Sequence, residues 1–321
     1  HLHRAFDLTV GDRQSPMAYR QQQIRGNLER RARLLAAVRA FFETAGYLEV
    51  ETPLRIPAVA PEAHIDPLAA DGWYLHTSPE LAMKRLLAAD YQRIFQICRC
   101  FRREERGGRH LPEFTLLEWY TANADYRHMM AQTEALVRYA ALEVNGARAL
   151  AFQGGIVDMA APFDRITVAE AFARWVGGTP EDALAAGRFD ELMGLEIEPR
   201  LGWQRPAFLH DYPAACAALA RLRADRPSVA ERFELYIGGI ELCNGFSELT
   251  AADEQRRRFE AERDLRRQNG RILPPMPEPF LAALADMPPA AGNALGIDRL
   301  AMLLADTTVI DDVSAFVPEE L

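Results

Sequence analysis

Arginine, acidic and aromatic residues alternate along two neighbouring segments of the sequence. Arg93 to Glu104 and Phe114 to Tyr120 each show the period of two that is typical of β-strands, and a polar loop separates them. Arg102 and Glu104 would share one face of the first strand, and the second strand would present Phe114, Leu116, Glu118 and Tyr120. Arginine can hold a phosphate or carboxylate through two hydrogen bonds, and an aromatic ring can stack on a purine. The pattern favours nucleotide binding, although a solvent-exposed hairpin of paired charges would also show it.

Two acidic residues flank a second predicted hairpin. Phe233 to Ile237 and Ile240 to Cys243 are predicted strands around Gly238-Gly239, a turn in which both central residues need positive φ. Glu234 and Glu241 would then lie on one face as diagonal neighbours. Two carboxylates this close suit Mg²⁺ bound together with substrate phosphates, or they are ordinary solvated acids at a sheet edge.

Asn244, Phe246 and Glu248 share the strand face opposite to that of Glu241. A bulge near Cys243 to Gly245 is therefore required if all of them are to face one pocket. An acid and an aromatic ring together suit a ligand that bears an ammonium group, through a charge-assisted hydrogen bond and a cation–π contact. The alternative is that Phe246 belongs to the core.

A run of small residues from Gly292 to Gly296 leads into a predicted apolar helix that ends near Leu304. Small side chains let the backbone approach a ligand closely, and Arg299 could then lie on a nucleotide base or an outer phosphate. A glycine-rich turn alone is weak evidence, so the prediction depends on the ordered set of all these segments.

Helices and strands elsewhere must position these residues. A helix capped by Asn27 is predicted to run to Ala45 and stop at Gly46, followed by a strand from Tyr47 to Thr52 that ends at Pro53. Ser78 and Pro79 are the predicted N-cap and first residue of another helix. Further helices are predicted at Met129 to Val144, Val168 to Trp175, Glu181 to Met193 and Asp253 to Asn269, with an insertion beside the main sheet at about 160 to 210.

Composition places the chain among ordinary globular proteins. It has 321 residues, 49% hydrophobic residues and a net charge of −9, which is the wrong sign for affinity based on neutralising phosphates. Its apolar runs are far shorter than a membrane helix of about 20 residues, and no secretory signal is visible, so the cytoplasm is expected. Cys98 and Cys100 would share a strand face, but no further ligand accompanies them in the sequence, and metal binding there is not predicted.

In this order the segments resemble the three motifs of class II aminoacyl-tRNA synthetases. The helix, strand and Pro53 resemble motif 1, and Gly296-Ile297-Asp298-Arg299 resembles motif 3. The segments that resemble motif 2 are Phe101-Arg102-Arg103-Glu104 and His110-Leu111-Pro112-Glu113-Phe114-Thr115. The lysine-specific branch is indicated by Glu118-Trp119-Tyr120 and by Glu241 to Leu249. The resemblance implies an α+β fold, in which an antiparallel sheet is flanked by helices, and a homodimer formed through motif 1.

The resemblance also implies a role for each matching residue. Arg102, Glu241 and Arg299 would be catalytic, Arg102 would bridge the substrate carboxylate and the α-phosphate, and Glu234 and Glu241 would hold Mg²⁺. ATP would contact Arg102, Arg103, Glu104, His110, Leu111, Phe114, Glu241, Leu242, Gly296 and Arg299. The amino acid would contact Ser78, Pro79, Glu80, Tyr120, Asn244, Phe246 and Glu248, with Tyr120 and Glu248 at its side-chain ammonium. Leu111 departs from the asparagine usual at its position, so a contact there would use the backbone.

About 26 residues precede the motif 1 helix, too few for the anticodon-binding barrel of full lysyl-tRNA synthetases. A single catalytic domain over residues 1–321 is therefore expected, with residues 1–26 as an extension. The short form is similar to lysyl-tRNA synthetase paralogues that activate (R)-β-lysine and join it to a lysine side chain of elongation factor P. Glu104-Glu105, Trp119 and Ala294 agree with that branch.

Two alternatives to this function remain open. One is the same chemistry with α-lysine and a tRNA or small-amine acceptor. The other is a catalytically silent paralogue that acts as a regulatory subunit. Retention of Arg102, Glu241 and Arg299 together argues against the silent form, because an inactive site has no use for all three.

Overall fold

The computed structural model describes residues 19–321. The first 18 residues of the expected N-terminal extension lie outside the described part. The helices are α1 (Arg20–Gln23), α2 (Arg25–Thr44), α3 (Glu80–Ala88), α4 (Tyr126–Asn145), α5 (Val168–Trp175), α6 (Pro180–Ala185), α7 (Phe189–Leu192), α8 (Ala252–Gln268), α9 (Glu278–Ala283) and α10 (Ile297–Leu304). The strands are β1 (Leu48–Glu49), β2 (Arg55–Ile56), β3 (Leu68–Ala70), β4 (Trp73–Leu75), β5 (Arg93–Phe101), β6 (Glu113–Ala122), β7 (Ala149–Phe152), β8 (Gly155–Asp158), β9 (Asp164–Thr167), β10 (Ala207–Pro213), β11 (Val229–Ile237), β12 (Ile240–Ser247) and β13 (Ala290–Gly296).

Eight strands form one large sheet in the order β1-β5-β6-β13-β12-β11-β10-β9. The six inner strands, β5 to β10 in this order, are antiparallel to one another, whereas β1 and β9 pair in parallel at the two edges. The sheet is thus mixed, with the expected antiparallel arrangement at its centre. Among residues 19–321, no helix combines the length and the apolar character that crossing a membrane requires.

The two faces of β6 have different environments because side chains alternate along a strand. Leu117 and Trp119 point into the main core with α2, where Phe42 stacks on Phe95 of β5 at a centroid distance of 4.7 Å. On the opposite face Leu116, Glu118 and Tyr120 line a cavity. Burying a side chain such as Phe42 contributes about 1.5–3 kcal/mol, so the packed face anchors the strand whose other face forms the cavity.

Motif 1 differs from the prediction at its ends. Helix α2 begins at Arg25, and the Asn27 side chain does not cap it but donates to the carbonyl oxygen of Asp312 at 3.1 Å. Gly46 follows the helix with φ +74°, as expected of a left-handed stop. The predicted strand shortens to Leu48–Glu49, because only these two residues pair with β5.

The first hairpin ends earlier than predicted. Strand β5 stops at Phe101, so Arg102 and Glu104 lie in the connecting loop and do not share a strand face. The chain turns there because the amide of Arg102 donates to the carbonyl of Pro112 and that of Arg103 donates to the carbonyl of Asp66. Glu104 has φ +63°, a conformation that a strand cannot contain.

The second hairpin has the predicted pairing at its turn, with Ile237 opposite Ile240 and Tyr236 opposite Glu241. The register shifts immediately afterwards, because Leu235 pairs with Cys243 and leaves Leu242 as the extra residue of a bulge. The bulge therefore comes before Cys243, slightly earlier than predicted, and it has the required effect. Glu241 and Glu248 both face the cavity.

The glycine-rich segment is the largest error in the predicted secondary structure. Ala290–Gly296 is strand β13, placed between β6 and β12 in the middle of the sheet. At Gly292 an added Cβ would lie 2.3 Å from the Tyr120 ring and 2.7 Å from Glu248 Oε1. A side chain is thus excluded at Gly292, because the neighbouring residues already fill the space.

The region expected to be an insertion beside the sheet, about 160 to 210, includes β9 and β10 of the sheet itself. Only the segment between them packs alongside, around a separate cluster that contains Phe172 and Phe189. The predicted helix from Glu181 to Met193 is broken into α6 and α7, since Gly187 between them adopts φ +65°.

Candidate active site

A cavity of about 340 Å³ lies against the centre of the large sheet. Strands β6, β12 and β13 form its floor, and the loop from Arg102 to Pro112 closes one side. It is lined by most of the predicted site residues: Ser78, Glu80, Arg102, His110, Leu111, Phe114, Tyr120, Glu241, Leu242, Asn244, Phe246, Glu248, Gly296 and Arg299. Four predicted residues do not line it: Pro79, Arg103, Glu104 and Glu234. Residues from motifs 2 and 3 and from the segment Glu241 to Glu248 thus meet in one cavity.

Arg299 is held at one end of this cavity, which we call the nucleotide end. Its Nη1 donates to the backbone oxygen of Glu241 at 2.8 Å and to the Oε2 of that residue at 3.1 Å. Nη2 lies 2.7 Å from Nε2 of His110. Burial and the nearby Arg299 guanidinium both lower the pKa of His110, so the neutral imidazole accepts this hydrogen bond.

Arg102 lies over the ring of Phe114, with its guanidinium carbon 5.0 Å from the ring centroid. Its ion pair with Glu105 is long, at 3.9 Å, and its buried Nε has no hydrogen-bond partner among residues 19–321. An arginine with so few partners has donors to offer to a phosphate or carboxylate. Arg103 and Glu104 instead pair with each other at 3.0 Å, in an exposed position.

Lys84 is buried behind the part of the cavity wall formed by Glu80, Phe246 and Glu248, which we call the amino-acid end. Its ammonium bridges the carboxylates of Glu80 and Glu248, lying 2.6 Å from Glu248 Oε2, and it is 5.0 Å from the centroid of Phe246. Burial alone would lower the pKa of Lys84, but the two carboxylates outweigh this effect and raise it. The sequence predicted no role for Lys84, because it was only one residue of the helix predicted after Ser78 and Pro79.

Glu248 keeps one oxygen available. Burial raises the pKa of its carboxyl to about 8, although the Lys84 ammonium opposes the shift. Its Oε1 is buried and has no hydrogen-bond partner within the described residues. An unpartnered carboxylate oxygen in a cavity wall is a strong site for a ligand cation, because burying it unpaired is costly.

Glu118 also lines the cavity, although the sequence analysis gave it no specific role. Ser78 donates to its Oε1 at 2.5 Å, and Tyr120 donates to its Oε2 at 3.0 Å. Tyr120 therefore bonds Glu118 rather than Glu248, and burial raises the pKa of Glu118 well above its usual value. Strand parity had placed Glu118 beside Phe114 and Tyr120, so the signal was present in the sequence.

Glu62 and Arg232 also line the cavity, and sequence reasoning missed both. Glu62 lies in the proline-rich loop after motif 1, which has no periodicity to predict its direction; burial raises its pKa to about 7. Arg232 donates to Asn244 Oδ1 at 3.0 Å and to Glu234 Oε1 at 2.7 Å. It thereby leaves the amide nitrogen of Asn244 to serve a ligand.

Glu234 is buried next to the cavity wall. Its Oε2 accepts hydrogen bonds from Tyr212 at 2.5 Å and Tyr236 at 2.6 Å, and its Oε1 accepts from Arg232. Burial raises its pKa, and the charge of Glu241 adds to the shift, so the two carboxylates are close enough to repel each other. A divalent cation would relieve that repulsion, which fits Mg²⁺ at Glu241 with Glu234 behind it.

One buried ion pair ties the three motifs together. Arg31 of α2 contacts Asp298 Oδ1 at 2.6 Å and donates to the Thr115 hydroxyl at 2.8 Å. Asp298 also accepts a hydrogen bond from the amide of Thr115 at 2.6 Å. Motif 1, motif 2 and motif 3 therefore share one polar junction, which sets the positions of Phe114 and Arg299 on either side of it.

Comparison with known proteins agrees with this geometry. The family model described as tRNA synthetases class II (D, K and N) matches residues 10–320. The elongation factor P–(R)-β-lysine ligase of Pectobacterium carotovorum is 42% identical over 310 residues, which cover 90% of this chain and 94% of that protein. Proteins of the same name from Sodalis glossinidius and Salmonella gallinarum are 41% and 39% identical, covering 91% and 90% of this chain and 95% and 94% of their own length.

These matches confirm the family, the fold class and the ligase chemistry that the motifs predicted, and with them the use of ATP. The mixed sheet, with its antiparallel centre supporting all three motifs, is consistent with that result. The chain belongs to the family of class II tRNA synthetases.

Proposed function

We propose that this protein activates (R)-β-lysine with ATP and transfers it to a lysine side chain of elongation factor P. The names of relatives about 40% identical over 90% of the chain support the substrate and the acceptor. The structural observation that supports it best is the buried, unpartnered Oε1 of Glu248 in the same cavity as Arg102 and Arg299. A ligand with an ammonium at one end and a carboxylate at the other has a partner of opposite charge for each in this cavity.

Activation joins the amino-acid carboxylate to the α-phosphate. A carboxylate oxygen attacks the α-phosphorus, the bond from that phosphorus to the β-phosphate oxygen breaks, and diphosphate leaves. Arg102 stabilises the negative charge that develops, and Arg299 holds the nucleotide against Phe114. The enzyme supplies positioning and charge, with no covalent nucleophile of its own.

Transfer then uses the acceptor amine. The neutral amine attacks the carbonyl carbon of the mixed anhydride, the bond to the phosphate oxygen breaks, and AMP leaves as the amine loses a proton. The product is an amide. The net charge of −9 is compatible with a protein acceptor, since no large basic surface is needed for a polyanion.

Glu241 and Glu234 are the proposed ligands of Mg²⁺. The ion would neutralise phosphate charge when bound. Glu241 offers its carboxylate to the cavity, and Glu234 would share the oxygen that now accepts from Arg232. Chelation is therefore expected to weaken ATP binding more than amino-acid binding.

Both amino groups of β-lysine have a proposed partner. Glu80 with Ser78 would hold the amine nearer to the carboxylate, Asn244 would touch that carboxylate, and Glu248 would hold the terminal ammonium. Phe246 lies beside Lys84 and lines the cavity, so it can also face an ammonium.

We also propose a homodimer formed through motif 1 and a single catalytic domain. Leu48 and Leu54, in or next to motif 1, and Trp73, whose strand β4 pairs with β2, are each more than 40% exposed. A buried subunit interface would cover them. Measurement of mass in solution tests the dimer.

ATP–diphosphate exchange tests the function directly. Exchange should be supported by (R)-β-lysine far better than by α-lysine, and purified elongation factor P should gain the mass of one lysyl group. Exchange with neither amino acid would eliminate the enzyme. A strong preference for α-lysine, with charging of tRNA, would favour the alternative acceptor.

A further inference from the structure

His76, Cys98 and Cys100 form a cluster of side chains that could hold a metal ion, beside strand β5. Cys98 and Cys100 are two residues apart in β5 and so point to the same side. The carbonyl of His76 accepts a hydrogen bond from the amide of Phe101 at 3.0 Å, which fixes the segment before Ser78 against the end of that strand. The three residues are therefore held by backbone pairing rather than by mobile loops.

The spacing of their ligand atoms matches a metal site. The two sulfurs are 3.9 Å apart, Cys100 Sγ is 3.9 Å from His76 Nε2, and all three ligand atoms lie within 4.8 Å of one another. Around tetrahedral zinc, with bonds of about 2.0–2.3 Å, the ligand atoms are about 3.5–3.8 Å apart. The two 3.9 Å separations therefore lie within a few tenths of an ångström of this range.

Gln96 provides a second, independent observation. It lies two residues before Cys98 on the same strand face, is 2% exposed, and its side chain is within hydrogen-bond reach of the Cys98 sulfur. Its Oε1 is buried without a hydrogen-bond partner among residues 19–321. A bound cation would satisfy that oxygen, directly or through one water.

The imidazole has one competing contact. His76 Nε2 lies 2.7 Å from the carbonyl oxygen of Arg99, so it donates a hydrogen there. The 3.9 Å contact with Cys100 Sγ is also made by Nε2, so the metal would bind the nitrogen that now donates to Arg99. Binding through Nε2 would replace that hydrogen bond with the metal bond.

We propose that His76, Cys98 and Cys100, with Gln96 as fourth partner, bind one soft divalent cation such as Zn²⁺. Two thiols and an imidazole select Zn²⁺ over the Mg²⁺ proposed for the phosphate site. On binding, each thiol releases its proton to solvent and both thiolates bond to the metal. The site shares a strand face with Glu118 and Tyr120, which line the cavity, through the β5–β6 pairing.

Titration with Co²⁺ tests the proposal on the reduced, chelator-treated full-length protein. The expected result is one Co²⁺ per chain, with a thiolate-to-cobalt charge-transfer band and the visible bands of a tetrahedral ion. Cys98→Ser and Cys100→Ser should each lose about half of the charge-transfer intensity, and the double variant should lose all of it. Cys216→Ser, a cysteine in another part of the chain, is the matched control and should keep the full signal.

A charge-transfer band that persists unchanged in the double variant would place the metal elsewhere and overturn the assignment, as would absence of the band in the unmodified protein. Alkylation of the unmodified protein guards against misfolded variants. Zn²⁺ should slow modification of the half-buried Cys98 at least about tenfold, and equal rates with and without Zn²⁺ would also refute the site.

Discussion

The two ends of the active-site cavity are built by different means. At the nucleotide end, Arg102 comes from a loop and has weak partners, while Arg299 rests on Glu241 and His110 near the surface. At the amino-acid end, Lys84 and Glu248 are almost completely buried on regular elements and neutralise each other. The first end has loosely paired positive charge to offer to phosphates, and the second has carboxylates that a single lysine compensates only in part.

This difference suggests how one cavity treats two substrates. ATP brings its own negative charge and needs cations that can adjust to it. A diamino acid needs a pocket that is negatively charged before the ligand binds. Lys84 reduces the repulsion between the neighbouring carboxylates that supply this charge. Changes at the nucleotide end should therefore affect chemistry, and changes at the amino-acid end should affect stability and selection.

Arg102→Ala should cause the largest effect. Removing the cation expected to stabilise the α-phosphate should lower adenylate formation by about 10³-fold or more, while the melting temperature stays nearly constant. Diphosphate exchange and thermal unfolding measure the two quantities. Arg99→Ala, which removes an exposed arginine of the same hairpin, is the control. Retained activity in Arg102→Ala would contradict the motif 2 assignment.

Lys84→Met should destabilise the fold, because it leaves the Glu80 and Glu248 carboxylates buried without their counterion. The expected loss in the free energy of unfolding is about 3–5 kcal/mol, measured by denaturant titration. Adding Glu248→Gln to Lys84→Met should restore part of that loss, since one buried charge is removed as well. If the single and double variants were equally unstable, Lys84 would be acting through packing alone.

Glu248→Gln should raise the KM for (R)-β-lysine by about 10–100-fold, which corresponds to loss of one charge-assisted hydrogen bond. The KM for ATP should change little, because the nucleotide end is built from other residues. An analogue without the terminal amine should bind both forms alike. Equal discrimination against that analogue before and after the substitution would remove Glu248 from the ammonium site.

The pH dependence should be the smallest effect and should belong to the amino-acid end alone. Burial raises the pKa of Glu248 to about 8, and an ammonium binds the ionised form, so kcat/KM for the amino acid should rise several-fold up to about pH 8 and then level off. In Glu248→Gln this rise should shrink. A profile that is the same in both proteins would assign the titration to another group.

The same shift has a consequence for stability. The unfolded carboxyl titrates near 4.5 and the folded one near 8, so between these values the folded state holds a proton that the unfolded state has released. Stability from this group is therefore present below about pH 4.5 and is lost as the pH rises towards 8. As the pH rises from about 4.5 to 8, the melting temperature of the unmodified protein should therefore fall relative to that of Glu248→Gln.

Local patterns in the sequence were enough to predict several parts of the site. Alternation placed Phe114, Leu116, Glu118 and Tyr120 on one face of β6, because side-chain direction follows the strand period. The Gly238-Gly239 turn determined the pairing of Tyr236 with Glu241. The motifs identified the family because residues in each are close together in the chain.

Only the tertiary structure could reveal how buried charges are matched. Lys84 meets Glu248, Arg31 meets Asp298, and His76 meets Cys98 and Cys100 through contacts between distant segments. The sequence alone did not predict that Gly292 lies in a strand. The reason for a glycine there is clear only in the folded protein, where the Tyr120 ring leaves no room for a side chain. Sequence periodicity sets the direction of a side chain, but the partner that it finds there depends on how the strands and helices assemble.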